Sequence, residues 1–119
     1  SLLVTVKFVN ERNDTFHGIY MIGQNTSDDR YVSPGDTFWQ DSFAGGYVNI
    51  SANDTAWACL NVTDNSQGNI RIIMFGFWGS VGNETLWPLF FPDYGARYLV
   101  DVNINTTGME HFEEVYYLS

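Results

Sequence analysis

Turn-forming clusters interrupt this chain at short intervals, and no other feature limits its fold so sharply. They fall at Asn10–Asp14, Asn25–Asp29, Ser33-Pro34-Gly35-Asp36, Ala44-Gly45-Gly46, Ala52-Asn53-Asp54, Thr63–Asn69, Gly79–Glu84, Pro92–Gly95 and Asn105–Gly108. The runs between them are β-branched and aromatic, and no long one carries a 3.6-residue apolar stripe. Short runs of that kind, separated by such turns, predict strands in a sandwich or barrel. The 119 residues suit one domain, spanning 1–119, with room for a single core. The expected fold is all-β: an antiparallel β-sandwich of about eight or nine short strands with little or no helix.

Alternation assigns faces. In Leu3–Val9, Val4, Val6 and Phe8 form the inner set, with Thr5 and Lys7 outside. In Tyr47–Ser51, Val48 and Ile50 point in while Tyr47, Asn49 and Ser51 point out. In Ala96–Ile104, Tyr98, Val100, Val102 and Ile104 share one face, opposite Arg97, Asp101 and Asn103. The run Ala56–Val62 can be phased two ways. Either Asn61, Cys59 and Trp57 point outward, making Trp57 a binding-surface candidate, or Trp57 enters the core. As the lone cysteine, Cys59 forms no intrachain disulfide, and by residue type it reads as a small buried hydrophobe.

Asparagine carries the expectation about compartment. Asn13, Asn25, Asn49, Asn53, Asn61, Asn83 and Asn105 each open an Asn-x-Ser/Thr sequon with no proline at x. Seventeen Ser or Thr among 119 residues would give eleven asparagines about 1.6 sequons by chance, against the seven present. That excess points to a secreted, N-glycosylated protein. Five of the seven fall in or beside turns and Asn49 falls on an outward phase, where a glycan has room. The chain opens Ser1-Leu2-Leu3-Val4 without an initiator Met, as expected of a processed product.

Fourteen acidic residues against five basic ones give a net charge of −9. Such a surface repels nucleic acid and anionic lipid. No run reaches the ~20 apolar residues of a membrane-spanning helix. Signs of catalysis are sparse. His17 and His111 are the only histidines, no Gly-x-Ser-x-Gly elbow or phosphate loop occurs, and Glu113 and Glu114 alternate faces on a strand. Thr63–Asn69 is rich in oxygen ligands but lacks the distal Glu of a calcium loop, so it reads as a hairpin turn. No enzyme, no metal and no cofactor is expected.

Aromatics supply the functional expectation. The stretch Phe75–Gly95 holds Phe75, Phe77, Trp78, Trp87, Phe90, Phe91 and Tyr94, broken by glycines and by Pro88 and Pro92. Phe75 and Phe77 end a core strand, Trp78–Glu84 makes a loop, and Leu86–Phe91 forms an edge strand because Pro88 lacks an N–H. A sugar needs a flat ring for its C–H face and fixed polar groups for its hydroxyls. Trp78, Trp87, Asp93, Tyr94 and Arg97 are therefore the candidate ligand-binding residues, with core packing as the competing role for the rings. The expected function is a secreted, non-catalytic, lectin-like module whose partners are glycans.

Two other classes stay open. One is a cytotoxic or membrane-active sandwich that inserts Trp78, Phe90 and Phe91 into lipid. The layout of Val4, Val6, Phe8 and Asn10 followed by Val32-Ser33-Pro34-Gly35 resembles the aegerolysins. The shared positions are scattered over about a third of the chain, too few to transfer any residue. The other class is a structural glycoprotein without a pocket. Strand edges without lysine also admit a homodimer through edge pairing.

Overall fold

The computed structural model describes residues 1–24, 42–66, 68–79 and 95–119. Seven strands run through them: β1 (Leu2–Asn10), β2 (Phe16–Gly23), β3 (Phe43–Ile50), β4 (Thr55–Val62), β5 (Asn69–Trp78), β6 (Arg97–Asn105) and β7 (His111–Leu118). No helix occurs among the described residues. The strands form a three-stranded sheet, β4-β1-β7, and a four-stranded sheet, β3-β2-β5-β6. The all-β architecture is thus the one that the turn spacing predicts. The expected strand Leu86–Phe91 lies outside the described residues.

One ladder departs from the antiparallel expectation. β1 pairs antiparallel with β4 but parallel with β7, Leu3 opposite His111 and Asn10 opposite Leu118. Alternation along a strand reports which face is apolar and is silent on direction, so this feature was invisible to it.

Between the sheets lies the core. Val4, Val6 and Phe8 from β1 meet Ala58, Leu60 and Val62 from β4 on one side. Phe16 and Ile22 from β2, Ile70, Ile72 and Met74 from β5, and Val100 from β6 close it from the other. Each of these side chains larger than alanine contributes about 1.5–3 kcal/mol on burial. The four-stranded sheet is also buried on its second face, where Ile19, Met21 and Ile73 are fully covered. This explains why β2 and β5 read as near-continuous apolar runs rather than alternating ones.

Three local expectations are corrected. Ala44-Gly45-Gly46 is not a turn but lies inside β3. A Cβ on Gly45 would stand 3.0 Å from the Tyr20 carbonyl oxygen and 2.7 Å from the Phe43 ring, so this glycine serves close approach. The segment Thr63–Asn69 is not a hairpin. It carries the chain from β4 in one sheet to β5 in the other, anchored where Asn65 Nδ2 donates to the Thr106 carbonyl at 2.9 Å and Thr106 Oγ1 donates to Asn65 Oδ1 at 3.0 Å. Finally, Tyr98 does not share the face of Val100. The β5–β6 register slips between Met74 and Phe75, so that Leu99 is the extra residue of a bulge. Leu99 turns to the core, while Tyr98 faces Phe75 with ring centroids 5.1 Å apart.

Candidate functional site

At one end of the sandwich, the last residue of β5 meets the last residue of β1. Trp78 is half-buried, and its Nε1 donates to Asn10 Oδ1 at 2.9 Å. Phe16 packs edge-on against the indole with centroids 5.0 Å apart. The guanidinium carbon of Arg12 lies 4.7 Å from the ring centroid, and that of Arg97 lies 5.8 Å away. Of the five predicted ligand-binding residues, the structure therefore brings Trp78 and Arg97 together. Trp87, Asp93 and Tyr94 lie outside the described residues. Trp78 belongs to a strand rather than to the expected loop, and arginines and Phe16 crowd its ring.

The outward face of β4-β1-β7 is the open aromatic surface. Its rows, read across the sheet, are Asn61–Leu3–His111, Cys59–Thr5–Glu113, Trp57–Lys7–Val115 and Thr55–Val9–Tyr117. Trp57 is 63% exposed and Tyr117 64% exposed, with Leu3 and Val115 also exposed between polar neighbours. This decides the phase of β4: Trp57, Cys59 and Asn61 point out, while Ala58, Leu60 and Val62 point in. The expectation that Cys59 is a buried hydrophobe is thereby overturned, since its thiol is exposed. Strand phase outweighs the residue type's usual preference, because moving Cys59 inward would expel Leu60 and Ala58.

Thr5, Trp57, Glu113, Glu114 and Val115 line a shallow depression of about 290 Å³ on this face. Lys7 lies over the indole, its Nζ 5.4 Å from the centroid, and so helps to hold the ring in place. A flat indole thus sits beside a hydroxyl, a carboxylate and an ammonium, the set needed to stack one sugar face and bond its hydroxyls. Thr5, Lys7, Glu113 and Tyr117 were not picked out from the sequence. The outward phase of β7, His111-x-Glu113-x-Val115-x-Tyr117, was the available signal, but it required knowing that β7 lies beside β1.

Five of the seven sequon asparagines are described, and all five, Asn13, Asn49, Asn53, Asn61 and Asn105, are exposed. Asn25 and Asn83 lie outside the described residues. Asn53 adopts a left-handed φ of 59°, and its Nδ2 donates to Asn13 Oδ1 at 3.1 Å. The Asn49 Oδ1 lies 2.8 Å from Nδ1 of the buried His17, whose Nε2 donates to the Gly79 carbonyl at 2.7 Å.

Among the described residues, no group of three or more His, Cys, Asp or Glu is placed to hold a metal ion. No helix there is long and apolar enough to cross a membrane. No protein-family profile, curated protein or solved structure matches the chain, so the scattered resemblance to aegerolysins gains no support.

Proposed function

We propose that this chain is a secreted, N-glycosylated, non-catalytic carbohydrate-binding protein whose platform is the outward face of β4-β1-β7. The observation that carries the reading is Trp57, 63% exposed on a sheet face and flanked by the Thr5 hydroxyl and the Glu113 carboxylate. A large ring left in water on a regular strand gives up the burial that an inward position would supply. Stacking a sugar ring recovers part of that loss, and the flanking groups bond hydroxyls without crossing the face. Solvent-exposed sequons support the secretory part of the reading, because each described acceptor asparagine is an exposed residue.

Asn61 shares this face, two rows from Trp57. They lie four positions apart along β4, about 13 Å at the usual rise. A glycan on Asn61 therefore leaves the Trp57–Tyr117 end open.

The test is a glycan array probed with the wild type and with Trp57→Ala. Binding to a defined set of neutral glycans, lost in the variant while circular dichroism stays unchanged, supports the reading. Absence of binding by the wild type, together with leakage from neutral-lipid vesicles, overturns it in favour of a membrane-active protein.

A further inference from the structure

The chain carries only five basic residues against fourteen acidic ones. Two of them, Arg12 and Arg97, distant in sequence, both stack on the Trp78 indole. Lys7 lies over Trp57, and Arg71 is buried, making a bidentate pair with Asp101 through Nε and Nη2 at 2.9 and 3.0 Å. Arg12 and Arg97 differ from Arg71, because both are exposed and neither is saturated by carboxylate. Arg12 approaches Asp14 loosely, with Nε 3.4 Å from Oδ1. Arg97 donates from Nη2 to the Ser119 main-chain oxygen at 3.1 Å and pairs with no side-chain carboxylate among the described residues.

We infer that Arg12 and Arg97, held on the Trp78 ring, form a subsite for the anionic substituent of a sugar, a carboxylate or a sulfate ester. The inference deepens the glycan-binding reading above and rests on it. Guanidinium forks present paired N–H donors that match two oxygens of a carboxylate or a sulfate ester, and stacking on an indole fixes the forks beforehand. Two like charges gathered at one ring repel each other, and a bound anion relieves that repulsion.

The net charge of −9 does not forbid this. At physiological salt the screening length is about 8 Å, so distant carboxylates are damped, and among the described residues Asp14 is the carboxylate paired with Arg12. The subsite also adjoins the open face. Ser119, which accepts from Arg97, follows Tyr117 by two residues, about 7 Å of strand. One acidic oligosaccharide can thus reach from Trp57 past Tyr117 to the arginines.

The test follows the four indole N–H signals by NMR, with Trp57 and Trp78 identified from Trp57→Phe and Trp78→Phe. The probes are the methyl α-glycoside of N-acetylneuraminic acid, glucose 6-sulfate, and neutral methyl glucoside, at about 0.15 M salt. The expected result is a saturable shift of the Trp78 signal with at least one anionic sugar and none with the neutral one. Arg12→Gln and Arg97→Gln should each weaken that response at least tenfold. A Trp78 signal silent to both anionic sugars, or a response surviving both substitutions, overturns the inference. A Trp57 response to neutral sugars beside a silent Trp78 removes the subsite and keeps the platform. The opposite pattern removes the platform and keeps the subsite.

Discussion

Trp78 Nε1 and Asn10 Oδ1 join the two sheets at one end of the sandwich, across 2.9 Å. Asn10 is fully buried and spends its whole amide there. Its oxygen also accepts from the Arg12 backbone N–H at 3.0 Å, and its Nδ2 donates to the carbonyls of Asp14, Ile50 and Ser51 at 2.9–3.2 Å. One side chain thus holds the ends of β1, β3 and β5 and the turn that follows β1.

Asn10→Ala should therefore destabilise the fold by about 2–4 kcal/mol, since it leaves several buried donors and acceptors unpaired at once. Asn10→Asp should be no better, because its carboxylate would face three carbonyl oxygens. Urea unfolding of the three proteins measures this, and a loss below about 1 kcal/mol for Asn10→Ala would count against the clamp.

Gly76 pairs directly with Gly18 across β5 and β2. A Cβ on Gly76 would stand 2.2 Å from the His17 carbonyl oxygen and 2.5 Å from the Phe16 ring. Backbone cannot retreat cheaply inside a ladder, so Gly76→Ala should cost about 3 kcal/mol or more, the scale of strong overpacking. At Gly18 the nearest obstacles are the same ring and the Met74 sulfur, 2.3 and 3.0 Å away. These are side chains that can shift, so Gly18→Ala should cost less. Thermal melts of the two variants give the order, and the reverse order would refute the assignment.

Trp57 and Trp78 should separate cleanly. Trp57→Ala removes a ring that is mostly in water and should change stability by less than about 1 kcal/mol. Trp78→Ala removes a core-flanking ring and orphans a hydrogen bond to Asn10, for a loss of about 3 kcal/mol. Equal losses in denaturant titrations would mean that Trp57 is structural rather than a platform.

Alkaline pH probes two tyrosines. Burial, and then the Asp101 carboxylate, hold the Tyr98 phenol above its usual ionisation range. Burial, reinforced by Glu114, does the same for Tyr116. Folding thus favours their neutral forms. The associated stability is fully present below about pH 10, the unfolded value, and is lost as pH rises through the higher folded values. Spectrophotometric titration near 295 nm should show late-ionising phenols, fewer of them in Tyr98→Phe and Tyr116→Phe. Ionisation of all tyrosines together at the unfolded value would contradict the burial.

Cys59 offers the simplest check on strand phase. Its exposed thiol should react with a bulky disulfide reagent in the native protein about as fast as in urea. Strong native protection would place it inside and reverse the face of Trp57 and Asn61.

The all-β class and the inner faces of β1 and β3 were legible because a strand's period of two is a local property. Val4, Val6 and Phe8 stand where alternation puts them. What escaped was whatever depends on partners remote in sequence. The bulge that turns Tyr98 outward is set by the β5–β6 register, and no pattern within β6 records it. Arg12 lies 85 positions before Arg97, and only the fold reveals that both reach Trp78. Two glycines in β3 passed for a turn because close approach and chain reversal both use glycine. For the candidate site, Trp78, Arg97 and one of the two phasings of Trp57 could be read in advance, whereas the polar flank of Trp57 could not.

The parallel union of β1 with β7 has a consequence for biosynthesis. β1 leaves the ribosome about a hundred residues ahead of the strand that will cover its second edge. At 5–20 residues per second, that edge waits roughly 5–20 s before its neighbour exists. Until then the nascent chain presents an apolar strand with unpaired backbone groups, the commonest seed of aggregation. The finished edge is better protected, because Glu114 stands on the core-facing phase of β7 yet remains exposed. A charge in that position discourages a further strand from adding to the sheet.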